Sequence, residues 1–269
     1  MYVDAHNHLQ DARLTTSRSE IASQCEKMGV SLSVVNGTSP KDWADVSDLA
    51  ARHSWILPSY GVHPWFLSEL TPSWRGDLER YLDQAPSALG EIGIDYWKEG
   101  IDRELQRTVF LEQLSLARDR NIPVSIHGLK AWHDLYALLE RYGAPEVGFL
   151  LHSYSGPLEL IKKFVRMGAY FSCAPAFFAP SRAAKLEVFR TIPLERLLPE
   201  TDAPDQAPPR DLQRSTCPED ERLNHPANIS MVYDGLARLT GMPEEKLSAV
   251  FMDNARRLFG SVMRAPLQA

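Results

Sequence analysis

The feature that most constrains how this chain can fold is a recurrence. Short apolar, β-type runs return about every 20–35 residues, at Tyr2–Ala5, Leu32–Asn36, Ile56–Val62, Ala88–Ile92, Val124–His127, Val147–His152, Ala169–Ser172 and Leu197–Thr201. The stretches between them carry helical periodicity. Arg103–Arg120 spaces Leu105, Val109, Leu111, Leu114 and Leu116 for one apolar face, and Ala131–Tyr142 does the same with Trp132, Leu135, Leu138 and Leu139. A strand that returns through a helix runs parallel to its predecessor, so eight such units predict a closed α/β barrel, the (β/α)8 or TIM architecture. The rival doubly wound open sheet usually carries a Gly-rich first βα turn, which this sequence lacks. No Pro/Ser-rich linker divides the chain. The irregular stretch Ala203–Asn224 directly follows the last run, where a barrel carries an active-site loop, so residues 1–269 read as a single domain.

In such a barrel the active site gathers at the C-terminal strand ends. Here those ends are rich in imidazole and carboxylate. The first run leads into Asp4-Ala5-His6-Asn7-His8, the third into His63, the fourth into Glu91 and Asp95, the fifth ends at His127, the sixth at His152, and the eighth at Glu200-Thr201-Asp202. An H-x-H pair in a strand aims both rings to one face and suits a single metal ion, but it is common by chance; six of eight strand ends in register is not. His53, His133 and His225 lie in helix-patterned segments and are set apart from the site.

Composition bounds the function. With 44% hydrophobic and 24% charged residues the chain can bury a sizeable core, and its net charge of −6 argues against a broad basic surface for gripping duplex DNA. The 3 cysteines, Cys25, Cys173 and Cys217, are odd in number and far apart, which suits reduced, buried thiols. No apolar run is long enough to span a bilayer, and no secretory leader pattern opens the sequence; a cytoplasmic protein with no membrane contact is the expectation.

The ordered set DAHNHL, GVHPW, GEIGIDY, PVSIH, LLHSYSG, LPETDAPD and NHPANI resembles the TatD family of metal-dependent deoxyribonucleases, within the amidohydrolase-like barrels; the match runs from Asp4 to about Phe259. The resemblance implies two divalent ions, Mg²⁺, Mn²⁺ or Zn²⁺. One would be held by His6, His8 and Asp202, and Glu91 would bridge to another held by His127 and His152, with Asp202 as general base. It further implies a 3′-to-5′ exonuclease acting on single-stranded DNA ends, with no obligate protein partner. His63 reads equally as a core histidine or a phosphate contact. Asp4 and Glu200 read as groups that orient ligands or brace the barrel, and Asp95 as either a substrate-side or a structural carboxylate.

Two positions depart from the family pattern. Where an arginine usually stands two residues after the strand-5 histidine, this chain has Gly128-Leu129-Lys130, so Lys130 becomes the candidate phosphate contact; Asp205 places a carboxylate where many relatives have tyrosine. Other readings stay open: hydrolysis of another ester or amide, such as an aminoacyl ester on RNA, or a barrel that binds nucleic acid or protein without turnover. Aromatic residues crowd the same loops (Trp65, Phe66, Tyr96, Trp97, Tyr154, Phe177 and Phe178), suited either to stacking unpaired bases or to packing the barrel mouth.

Overall fold

The computed structural model describes residues 1–263; positions 264–269 of the expected domain lie outside the described residues. Strands β1 (Tyr2–Asn7), β2 (Val30–Asn36), β3 (Ile56–Tyr60), β4 (Ala88–Asp95), β5 (Val124–Leu129), β6 (Phe149–Leu151), β7 (Ala169–Cys173) and β8 (Leu197–Pro199) form one eight-stranded parallel sheet in sequence order. Between them run α1 (Arg18–Lys27), α2 (Trp43–Arg52), α3 (Trp74–Gln84), α4 (Arg103–Arg120), α5 (Trp132–Tyr142), α6 (Leu158–Arg166) and α7 (Ala183–Val188), and α8 (Ile229–Thr240) and α9 (Glu244–Phe259) follow β8. This is the expected (β/α)8 barrel. Among the described residues, no helix is long and apolar enough to cross a membrane.

The seam between β8 and β1 is closed largely by a side chain. The buried Asp4 carboxylate accepts from Thr201 N at 2.9 Å and from Thr201 Oγ1 at 2.6 Å. Backbone bonds from Asp202 N to His6 O (2.9 Å) and from His8 N to Ala203 O (2.7 Å) continue the closure towards the mouth. Asp4 therefore braces the barrel, the structural alternative of the two read from sequence.

Element ends follow local chemistry. The N-terminus of α4 is fixed by the Asp102 carboxylate, which accepts from Glu104 N and Leu105 N, and its C-terminus by Asn121 in the left-handed conformation (φ 48°). Strand β6 is shorter than expected because Gly148 (φ 104°) turns the chain immediately before it and Ser153 (φ 43°) turns it again just beyond. β4 and β5 run longer than expected, to Asp95 and Leu129, because they pair in register along that extension.

Inside the barrel two layers are stacked. Val34, Leu57, Leu150, Tyr170 and Leu198 belong to one buried apolar cluster that also takes in Met252, Leu258 and Phe259 of α9. Each of those strand residues stands two positions before a buried polar one (Asn36, Ser59, His152, Ser172 and Glu200) and so shares its face of the pleat. An apolar floor thus supports a polar ring at the C-terminal end. The irregular segment after β8 is tied back over that ring: Asn224 Nδ2 donates to Thr201 O at 2.7 Å, and Asn228 Oδ1 accepts from Arg214 N and Ser215 N, both at 2.9 Å.

Candidate metal centre

The polar ring brings together His6, His8, His63, Glu91, His127, His152 and Asp202, with Glu91 in the middle. Its Oε2 lies 3.2 Å from His8 Nε2 and 3.4 Å from His6 Nε2. Its Oε1 lies 2.8 Å from His152 Nε2 and 3.0 Å from His127 Nδ1. Asp202 Oδ1 completes the first group, 3.5 Å from His8 Nε2 and 3.6 Å from His6 Nε2. The two oxygens of one carboxylate thus face two separate sets of nitrogens.

The outer hydrogen bonds decide which lone pairs point inward. His8 donates Nδ1–H to the Asn36 carbonyl at 2.7 Å, and His127 donates Nε2–H to Asp95 Oδ2 at 2.9 Å, so the remaining nitrogen of each ring turns a lone pair to the centre. His6 Nδ1 lies 2.7 Å from Ser125 Oγ, which leaves its Nε2 for the same role. His63 is arranged the other way round: its Nδ1 accepts from Trp65 N at 3.1 Å, so Nε2 carries the proton and points it inward, 3.5 Å from Glu91 Oε1. Three of the rings thus turn lone pairs inward and His63 turns a donor, while His152 has its Nε2 2.8 Å from Glu91 Oε1.

Two buried atoms of this cluster, Glu91 Oε1 and His152 Nδ1, receive no hydrogen bond. For Glu91 Oε1 this holds despite two nitrogens within 3.0 Å. Converging lone pairs at such range repel unless a cation lies among them, and buried polar atoms rarely remain unpartnered. The residues therefore fit divalent metal ions, with nitrogen and carboxylate donors typical of zinc or manganese. Sets drawn from His6, His8, Glu91, His63, His127, His152 and Asp202 bring ligand atoms within 4.8 Å of one another. The electrostatics agree. Burial opposes charge on His8, His127 and His152, yet Glu91 with Asp202, Asp95 or Glu200 raises their pKa values, so the pocket favours positive charge. His63, without a close hydrogen-bonded carboxylate, is held neutral by burial, its pKa well below the usual value.

The remaining sequence candidates take supporting positions. Asp95 Oδ2 accepts from both His127 and the Trp65 indole (2.8 Å), and Oδ1 accepts from Trp97 N at 2.7 Å, which makes it an orienting carboxylate. Glu200 accepts from Ser153 N (2.7 Å), Ser153 Oγ (2.6 Å) and Ser172 Oγ and lies 3.8 Å from His152 Nδ1, bracing β6, β7 and β8 under the site. Lys130 is exposed on the cleft wall. Asp205 does not present a free carboxylate to the cleft: Arg13 binds it through two contacts of 2.7 and 3.0 Å. Sequence reasoning missed Asn36 and Ser125, although Ser125 stands two residues before His127 on the same face of β5, a signal that alternation alone carries.

The glycines of GEIGIDY have steric reasons. A Cβ on Gly93 (φ 152°) would lie 2.0 Å from the His127 carbonyl oxygen, and one on Gly90 would lie 2.8 Å from Asn36 Oδ1 and 2.9 Å from Ser125 Cβ. Only bare backbone lets β4 set Glu91 between the histidines of its neighbours.

The centre forms the floor of a cleft of about 1030 Å³ whose rim includes Arg13, Trp65, Phe66, Trp97, Lys130, Arg182 and Lys185. Comparison with known proteins agrees with this geometry. The model of the family described as TatD related DNase matches residues 3–260. The uncharacterized metal-dependent hydrolase YabD of Bacillus subtilis is 28% identical over 96% of this chain and 99% of its own length. Human deoxyribonuclease TATDN3 is also 28% identical, covering 96% of this chain and 94% of its own. The crystal structure of YJJV, a TatD homolog from Escherichia coli, superposes with a TM-score of 0.87 at 26% identity, covering 96% of this chain and 98% of that one. Spanned by that family model from β1 to the end of α9, this chain belongs to the TatD related DNase family of hydrolases.

Proposed function

We propose that this chain is a binuclear metal-dependent phosphodiesterase that releases nucleotides from the 3′ ends of single-stranded DNA. The observation that carries the reading is the division of Glu91 between two nitrogen sets, Oε2 towards His6 and His8 and Oε1 towards His127 and His152. On this reading His6, His8, Asp202 and Glu91 hold one ion, and Glu91, His127 and His152 hold the other. Bound there, two divalent ions would act as Lewis acids on a phosphoryl oxygen and lower the pKa of water.

The chain's own groups supply the rest. Asp202 Oδ1 faces the first set of nitrogens and accepts the proton of the attacking water. His63, neutral and with Nε2–H turned inward, donates a hydrogen bond to a non-bridging phosphoryl oxygen. Asp95, Asn36 and Ser125 hold the imidazoles so that binding does not have to reorient them.

The cleft supports a nucleic-acid end as substrate. Its floor is buried, with Glu91 and His152 only 2% and 5% exposed, so a flexible strand end reaches it more readily than the side of a duplex. Lys130, Arg182 and Lys185 have no ion pair among the described residues and can meet phosphates, whereas Arg13 is already committed to Asp11 and Asp205. The name of the human relative, deoxyribonuclease TATDN3, points the same way. The test is a screen of metal-loaded protein on linear single-stranded DNA, circular single strands, blunt duplex, RNA and bis(p-nitrophenyl) phosphate. Stepwise shortening of the linear strand from its 3′ end, with circles and duplex cut far more slowly, is expected. Equal cutting of circles would overturn the exonuclease reading, and turnover confined to RNA or small esters would overturn the DNA reading.

A further inference from the structure

The structure sorts the mouth aromatics by what they touch. Tyr154 and Phe177 are 1% exposed and pack against Phe171 and Phe189 respectively. Phe178 fills the space beside Gly235, and Tyr96 is engaged by Asp134 and by the Arg103 guanidinium 4.4 Å above its ring. Trp97 is different. It lines the cleft, yet 54% of it is exposed, and its ring lies over Trp65 with centroids 6.1 Å apart and planes inclined by 30°.

Trp65 is a fixed base for this stack. Its indole N–H is held by Asp95 Oδ2, the oxygen that also orients His127, and Lys98 Nζ stands 4.7 Å from its ring centroid. An exposed indole stacked at a 30° tilt on an anchored one is a costly way to cover a cleft with hydrocarbon, but it is a ready platform for a flat, weakly hydrated ring. The other cleft residues specify what accompanies that ring. Lys130, Arg182 and Lys185 carry charges without ion-pair partners among the described residues, which suits a planar group linked to phosphate and not a neutral aromatic compound.

We propose that Trp97, seated on Trp65, is the stacking platform for an unpaired nucleobase next to the scissile phosphodiester, and so a specificity-determining residue for single-stranded substrates. The inference rests on the nucleic-acid reading above. Because every base has a flat face, such a platform favours no particular sequence and excludes paired bases, whose faces are already covered.

The test pairs a change in the protein with a change in the substrate. Metal-loaded wild type, Trp97→Ala and Trp97→Phe are compared on a single-stranded oligonucleotide and on the same strand with abasic residues at its 3′ end, with bis(p-nitrophenyl) phosphate alongside. Trp65 is left intact because it also holds Asp95. Stacking energies correspond to about a 10- to 100-fold rise in KM for the Ala variant on the normal strand, with kcat changed far less and the Phe variant intermediate. Abasic ends should cost the wild type a comparable factor and the Ala variant little more, since each change removes the same contact. If the wild type cuts DNA but the abasic penalty is equal in both proteins, or absent, the platform is refuted and the nuclease reading stands. If the wild type hydrolyses the small diester but no oligonucleotide, the nuclease reading fails and the platform with it.

Discussion

Asp202 carries the sharpest residue-scale consequence. Its carboxylate faces the nitrogens of His6 and His8 and is the one unshared anion of that set. An amide can neither take the proton of water nor balance metal charge, so Asp202→Asn should lower turnover by about 10²- to 10⁴-fold while the thermal midpoint moves only slightly. Turnover near that of the wild type would assign the base elsewhere. At this scale the sequence was informative about donors and silent about direction. H-x-H, GEIGIDY and ETD placed the ligand-type residues at strand ends, but the inward lone pairs of His8 and His127 and the inward N–H of His63 depend on Asn36 O, Asp95 and Trp65 N. The third contact is a local turn through His63-Pro64-Trp65, whereas the first two are made between strands, where no local pattern encodes them. The pairing of Asp205 with Arg13, 192 residues away, was hidden for the same reason.

Elements set that geometry through close approach. Strand β4 delivers Glu91 only because Gly93 lets it lie against β5, where an added Cβ would meet the His127 carbonyl at 2.0 Å. Gly93→Ala should therefore cost about 3 kcal/mol or more, combining overpacking with backbone strain, and should lower metal content together with stability. A thermal midpoint and metal content like those of the wild type would show that β4 can yield there without disturbing Glu91. The segment after β8 offers a pH test. His225 is buried where its Nδ1 caps the turn by accepting from Ala227 N at 3.0 Å, and burial pulls its pKa down to about 4, against a weaker opposing pull from Glu219. Because the folded state resists the proton, stability from this group is complete above the ordinary value of 6.5 and is lost as pH falls towards 4. Denaturant titrations between pH 7 and 4 should show the wild type losing about 3 kcal/mol more than His225→Asn, whose side-chain oxygen can still cap the turn. Parallel curves would mean that His225 is not titrating against the fold. Strand number and order were legible from spacing alone; strand ends were not: turns at Gly148 and Ser153 trim β6 on both sides, and β8 ends at Pro199, two residues short of the end of its expected run.

For the whole molecule, the outstanding feature is a positive-favouring cleft in a chain of net charge −6. Long-range attraction for a polyanion is weak, so capture depends on the few cations at the rim and should respond to each of them. Lys130→Ala is expected to weaken single-strand binding and to reduce the slope of log affinity against log salt by about 1, with Lys130→Arg restoring both. Unchanged affinity and slope would remove Lys130 from the substrate path. The barrel as a whole, closed by Asp4 at its seam and filled by an apolar layer under the polar ring, holds six ionisable side chains around the buried Glu91 carboxylate. That arrangement makes a specific demand on metal binding. Elemental analysis of the purified, metal-loaded wild type and of Glu91→Gln tests it most directly: two equivalents per chain are predicted for the wild type and a joint loss from both positions in the variant, because one change removes the carboxylate charge shared by two sites. Two full equivalents retained on Glu91→Gln would contradict the account.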